Sequence, residues 1–284
     1  MLSGVVGNIL LNDALETSGS KDTTNTAVVY HANRILALME AQKPAEMDLQ
    51  ISESVCADGT SDVNISFETK QVQFDFGGEL LGNMTAHPKV DPRTGEMLAF
   101  SYDMTSKPHL RYTEISKEGK ISHSVGVYSL DRGTMSHDMA ITETHAVLLD
   151  LPIYFDLANV FIKGEFPVQF QRNAQARLGI IERGGGSEVQ WFEIARQGNV
   201  FHVFNAHNDH ETGEIVLHAM RSEPEKDGYI FNDYAPSYLH VRIIGRQIHR
   251  ITSHHITWLL NFSKKIDSLL CSCFSRSAGI NYNY

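Results

Sequence analysis

The chain of 284 residues carries 24 Lys and Arg against 34 Asp and Glu, a formal net charge of −10, and 42% of its residues are hydrophobic. That length suffices for one large domain or two ordinary ones with a sizeable core, and the acidic balance argues against nucleic acid, whose phosphates call for basic side chains. Three cysteines, Cys56, Cys271 and Cys273, are too few and too unevenly placed for a disulfide framework and point to a reducing compartment.

Residues 1–22 have no charged segment ahead of their apolar stretch, so they make a poor signal peptide, and their acidic side chains argue against a transit peptide. One helix is expected over residues 3–15. No run of about 18 apolar residues is present to form a membrane-spanning helix. From residue 25 onward the pattern is β. Runs rich in Val, Ile, Phe and Tyr recur as "NTAVVYHANRILALME", "EMLAFSYDM", "LRYTEISKEGKISHSVGVYSL", "AVLLDLPIYFD", "VQWFEIA", "VFHVFNA" and "EIVLHAMRS". Three connections look alike, "DPRTGEM" (91–97), "SKEGKIS" (116–122) and "HETGEIV" (210–216), each with a glycine where a positive φ costs nothing. Many short strands at near-regular spacing predict an antiparallel all-β architecture. The chain is long for a single sandwich, which favours sheets repeated around an axis as a propeller.

The charge changes near the end. Residues 241–284 hold six basic and one acidic side chain, against 18 basic and 33 acidic over residues 1–240. A boundary is therefore expected after His240, with a divergent tail outside the main domain. Two readings fit the tail: a basic amphipathic helix suited to an anionic membrane surface, or sequence from read-through or a shifted reading frame, which is preferred.

The chain has 14 histidines, about twice what ordinary composition gives. Three share a context. His87 lies in "MTAHPKVDPRTGEMLAF", His137 in "MSHDMAITET" and His202 inside the apolar "NVFHVFNA". An imidazole among Phe201, Val203 and Phe204 is costly to desolvate unless its nitrogens find partners. A metal ion is one such partner, since imidazole suits iron, zinc and copper. A core imidazole bonded to a backbone carbonyl is the simpler reading for any one of the three. Ligands so far apart must come from separate strands meeting at one point, a geometry that the inner strands of a propeller offer.

The segments "TAHPKVDPRTGEMLAF", "SHDMAITETHAVLLDLPIYFD" and "FHVFNAHND" closely resemble, in order and context, the successive histidine motifs of the carotenoid cleavage oxygenases. The resemblance extends over roughly residues 24–240. It implies a seven-bladed β-propeller with helical cap segments over one face, and a ferrous ion, Fe(2+), held on the axis by four histidines. His87, His137 and His202 match three of those ligands, and Glu40 matches a glutamate that orients a ligand imidazole. The implied reaction is oxidative cleavage of a carotenoid or apocarotenoid double bond by O2, giving carbonyl products. Tyr154, Phe155 and Phe204 are candidates to line an apolar substrate tunnel. The resemblance also implies that strands upstream of Met1 and a fourth histidine downstream are missing from this fragment. On that ground the isolated chain is expected to fold poorly and to show little activity. His249, His254 and His255 are the tail residues of the right type for the fourth ligand. A plastid or cytoplasmic location follows, with room for peripheral membrane contact because such substrates reside in lipid.

Two other classes remain open on sequence grounds. One is a non-catalytic propeller that serves as an interaction module. The other is a zinc hydrolase, which would want a carboxylate or general base beside an open metal site, for which Asp138 and Asp209 are the candidates nearby in sequence.

Overall fold

The computed structural model describes residues 24–55, 61–155, 168–171, 173–194, 198–222, 237–244 and 247–255. Among them every regular element is a strand, and four four-stranded antiparallel sheets follow one another along the chain. The first holds β1 (Ala27–His31), β2 (Arg34–Leu38), β3 (Ala45–Val55) and β4 (Ser61–Gln71). The second holds β5 (Lys89–Val90), β6 (Met97–Tyr102), β7 (Leu110–Ile115) and β8 (Ile121–Val127). In the third, β9 (Ala140–Ile141) and β10 (His145–Asp150) are followed by a separate hairpin, β11 (Ile153–Phe155) with β12 (Val168–Phe170). The sheet then resumes with β13 (Arg177–Glu182) and β14 (Gln190–Glu193). The fourth holds β15 (Asn199–Asp209), β16 (Glu214–Ser222), β17 (Ser237–Ile244) and β18 (Gln247–His255).

Each sheet is a meander whose first strand forms one edge, the arrangement of propeller blades. The three expected glycine turns are present. Gly95, Gly119 and Gly213 have φ of 75°, 80° and 73°, in the connections β5–β6, β7–β8 and β15–β16. A Cβ on Gly119 would in addition lie 2.8 Å from the Cβ of Ala32, in the β1–β2 turn.

Alternation along the central strands explains how the sheets stack. On β6, Met97 and Ala99 join a core with Leu36 and Leu38 of the first sheet, whereas Leu98 and Phe100 join another with Ala146 and Leu148 of the third. On β10, Val147 and Leu149 face the opposite way, into a core with Leu217, Leu239 and Val241 of the fourth. Successive side chains on a strand point to opposite faces, so the second and third sheets are buried on both sides. This is why "MLAF" and "AVLL" read as unbroken apolar runs. Full burial of each such side chain contributes about 1.5–3 kcal/mol.

Three features of the described residues bear on the expected organisation. No helical cap segment occurs among the described residues, and the helix expected over 3–15 lies outside them. The hairpin β3–β4, long and polar, has no apolar run to announce it. The boundary expected after His240 falls inside β17. Val241 and Ile243 of that strand are buried, and Arg242 donates to Glu214 Oε2 at 2.6 Å and to Asp209. The charge change thus begins with an arginine that answers upstream carboxylates within one sheet. Net charge over a segment does not reveal such pairing. Residues 256–284 lie outside the described set.

Candidate metal centre

The three histidines singled out by context stand at or near the starts of edge strands: His87 just before β5, His137 just before β9 and His202 in the first part of β15. These edge strands belong to three different sheets, so residues 50 and 65 positions apart in sequence meet. One nitrogen from each ring lies within 4.8 Å of the other two. His87 Nε2 and His137 Nε2 are 3.0 Å apart, and the ring centroids are separated by 4.5, 4.9 and 5.0 Å.

Other histidines behave differently. His31, His109 and His123 each place a ring nitrogen 2.8–2.9 Å from a backbone carbonyl, of Ser116, Asp103 and Gly186 respectively. That is the ordinary way to satisfy an imidazole. In the cluster, rings instead turn nitrogens toward one another.

Local structure aims each ring. The Thr85 hydroxyl accepts a hydrogen bond from the His87 amide at 3.0 Å and donates to the His137 carbonyl at 3.4 Å, so one side chain spaces two of the histidines. Glu40, two residues past β2, reaches across 97 positions to bring Oε2 within 2.5 Å of His137 Nδ1. A carboxylate on Nδ1 fixes the proton there and leaves Nε2 as a lone-pair donor facing the cluster. Phe201 packs against the other side of the His137 ring, with centroids 4.1 Å apart.

His202 corrects one expectation. Its side chain is 52% exposed, although its neighbours are apolar. The pairing of β15 with β16 shifts register between Val200 and Val203 and again before Asn205. These bulges break the alternation that would have buried the ring among phenylalanines.

Asp138 is 2% exposed and holds a dense set of contacts. Its Oδ1 lies 2.6 Å from Lys89 Nζ and accepts the Met139 amide at 2.8 Å; its Oδ2 accepts the Val203 amide at 2.9 Å and lies 3.7 Å from His202 Nδ1. Burial alone would raise its pKa, but the His202 imidazole, the Lys89 ammonium and the Val203 amide outweigh it and bring it down to about 2. For His87 burial comes first and lowers the pKa, and the neighbouring His137 acts the same way. Both shifts favour a carboxylate beside neutral imidazole, the state in which histidine binds a cation. On sequence grounds Asp138 is a candidate carboxylate or general base for a zinc hydrolase. A carboxylate whose two oxygens already serve an ammonium and two amides is poorly placed for that work. Asp209 is likewise engaged, by Arg242 and by the amides of Glu211 and Thr212.

The aromatic candidates separate. Phe204 is half-exposed and lines a cavity of roughly 470 Å³ together with Lys89, Val90, Met139, Ile141 and Val203, on the strands that follow the three histidines. Tyr154 is buried in β11, where its hydroxyl accepts a hydrogen bond from Arg132 at 2.7 Å and the guanidinium sits 3.6 Å from its ring centroid. It is not among the residues of that cavity. The Phe155 side chain lies outside the described set.

Among known proteins, the chain is 35% identical over 237 residues to carotenoid 9,10(9',10')-cleavage dioxygenase 1 of Arabidopsis thaliana, covering 80% of this chain and 41% of that one. It is 32% identical over 197 residues to a probable carotenoid cleavage dioxygenase 4, chloroplastic, from the same plant, covering 68% of this chain and 31% of the relative. The chain therefore spans well under half the length of these relatives. Among solved structures, the lignostilbene dioxygenase of Pseudomonas brassicacearum superposes with a TM-score of 0.63 at 26% identity, over 80% of this chain and 46% of that one. The shared fold is the seven-bladed β-propeller, of which the described sheets supply four blades. Residues 4–255 match the family model described as RPE65, retinal pigment epithelial membrane protein. On these matches, the chain belongs to the RPE65/carotenoid cleavage dioxygenase family.

Proposed function

We propose that this chain is the metal-holding part of a non-haem Fe(II) dioxygenase that cleaves a carbon–carbon double bond of a carotenoid or apocarotenoid. The observation that carries the reading is the convergence of three imidazole nitrogens from three sheets, with Glu40 setting the tautomer of one. The donor set fits ferrous iron, because three imidazole nitrogens, from His87, His137 and His202, suit that ion. Iron bound there would supply the centre at which dioxygen is activated. Both oxygen atoms end in the products, one on each former alkene carbon, so two carbonyl compounds leave.

The chain's own residues account for the remainder. The substrate has no group to ionise, so no acid or base is needed at the scissile bond. An apolar lining has to desolvate the polyene and set which bond lies over the metal. Phe204, Val203, Met139, Ile141 and Val90 form the apolar part of an open cleft on the strands that follow the histidines, and Lys89, Asp91, Arg93 and Glu143 line the rest of it. Tyr154, locked under Arg132, shapes the sheet rather than the wall. A plastid location belongs to the same reading and is supported by the chloroplastic relative.

The test is to load the chain with Fe(II) without oxygen, measure iron per chain, then admit 18O2 with a detergent-dispersed apocarotenoid. Iron uptake is expected, lost in His137→Ala, with polyene absorbance falling slowly, as a site short of its fourth histidine implies, and one labelled oxygen in each carbonyl product. Failure to take up iron would sink the reading. Iron uptake without cleavage would favour the non-catalytic module.

A further inference from the structure

Asp138 stands apart from the other buried carboxylates in what it joins. Each group it holds follows closely on a histidine of the cluster. Lys89 comes two residues after His87, Asp138 itself directly follows His137, and Val203 directly follows His202. One buried carboxylate therefore touches all three strands that carry the cluster, with contacts of 2.6 Å to Lys89 Nζ, 2.9 Å to the Val203 amide and 3.7 Å to His202 Nδ1.

Two physical consequences follow. First, Val203 pairs with Ala219 between the two register shifts of β15, and Phe201 and His202 just before it are left out of the ladder. Asp138 takes up the Val203 amide there, and so holds the bulge that turns His202 toward the other rings. Secondly, the Lys89 ammonium is a cation beside a site suited to another cation. Opposite charge in contact cancels that repulsion, and an uncompensated ammonium in a partly desolvated place would oppose metal binding.

We propose that Asp138 is the positioning residue of the three-histidine centre, holding the bulge that aims His202 and screening Lys89 from the metal. The inference rests on the metal reading given above. It also makes the zinc-hydrolase role for Asp138 unnecessary, because the carboxylate acts through the histidines and touches no reacting atom.

The charge argument gives a test in which removing one half of an ion pair weakens metal binding and removing the other half does not. Co(II) titrations followed by the visible d–d bands report both the dissociation constant and the ligand geometry. Asp138→Ala should weaken Co(II) binding about 10- to 100-fold, the usual range for losing a residue that orients a ligand, and should change the band shape. Asp138→Asn keeps an oxygen for the Val203 amide and should recover part of the band shape but not the affinity. Lys89→Met leaves the carboxylate and the Val203 contact in place, and should bind Co(II) as tightly as the unaltered chain or more tightly. A purely structural role would weaken binding in both Asp138→Ala and Lys89→Met, since both break the same pair, and that result overturns the proposal. So does an Asp138→Ala chain with unchanged affinity and spectrum, which would leave the metal reading standing. If the unaltered chain binds no Co(II) or Fe(II), both the metal reading and this inference fall. Should Asp138→Ala not fold, Asp138→Asn and Lys89→Met still decide the question by the sign of their difference.

Discussion

The β3–β4 arm and the histidine cluster are placed by opposite means. In the arm, two strands of 11 residues pair with few interruptions, Leu49 opposite Phe67 and Ile51 opposite Ile65, yet from Asp48 to Gln71 both strands stay exposed. Ile51, Val55 and Ile65 are 62–75% exposed. Backbone ladder bonds define that hairpin, joined by a few cross-strand side-chain contacts such as Asn64 Nδ2 to Ser54 Oγ at 3.2 Å and Lys70 Nζ to Glu46 Oε1 at 3.1 Å. The cluster has little ladder of its own: β5 and β9 are two residues long, and the pairing of β15 is broken around His202. Side chains from distant parts of the chain (Glu40, Thr85 and Asp138) fix its geometry instead. Regular backbone pairing tolerates sequence change, and a site built from side chains does not.

That contrast can be broken or sharpened by substitution, beginning with the core that supports the cluster. Phe100 is fully buried between the second and third sheets. Phe100→Ala should cost about 3–5 kcal/mol in denaturant unfolding, and a cost under about 1 kcal/mol would mean that the sheets do not pack as described. Next comes the carboxylate that orients His137. Glu40→Gln keeps the shape of the side chain and removes its charge, and Fe(II) affinity measured by competition with a chelator should drop about 10- to 100-fold. An unchanged affinity would show that the 2.5 Å contact does not set the tautomer.

A smaller effect is expected at Asp91, which caps the β5–β6 turn. Burial raises its pKa, but the Arg93 amide and the Arg183 and Arg93 side chains outweigh that and lower it from 3.8 to about 2. Because the folded value lies below the unfolded one, the stabilisation is present above about pH 4 and is lost as pH falls toward 2. The stability difference between the unaltered chain and Asp91→Asn should shrink over that window in urea titrations. A difference that does not vary with pH would count against the charge-based account. The least effect belongs to the arm. Ile51→Thr should shift stability by no more than about 0.5 kcal/mol, as surface changes usually do, and a larger loss would reveal that the exposed face is covered in solution.

The same contrast explains what could be read from the sequence. The central strands were legible because burial on both faces yields apolar runs, and the three glycine turns because positive φ selects glycine. The histidines were legible through context shared with a known family. The arm was not, since a strand exposed on both faces shows neither alternation nor an apolar run. β13 was missed because "RLGII" includes Gly179, which weakens a strand pattern; in the fold, Gly179 makes room for Trp191 of β14, whose ring atoms a Cβ would meet at 2.7 Å. The exposure of His202 was unreadable because the bulges of β15 depend on pairing with β16. Asp138 was noticed as a carboxylate next to a histidine, but its bonds to Lys89 and Val203 span 49 and 65 residues and leave no local trace.

The second and third sheets each furnish a wall to two cores. A core that opened would strip one face from a sheet that the next core also needs. Disruption at one interface therefore propagates, and the smallest cooperative unit of unfolding spans several blades. Amide protons of β6 and β10 should exchange only through that shared opening, whereas those of the exposed parts of β3 and β4 should exchange through local fraying.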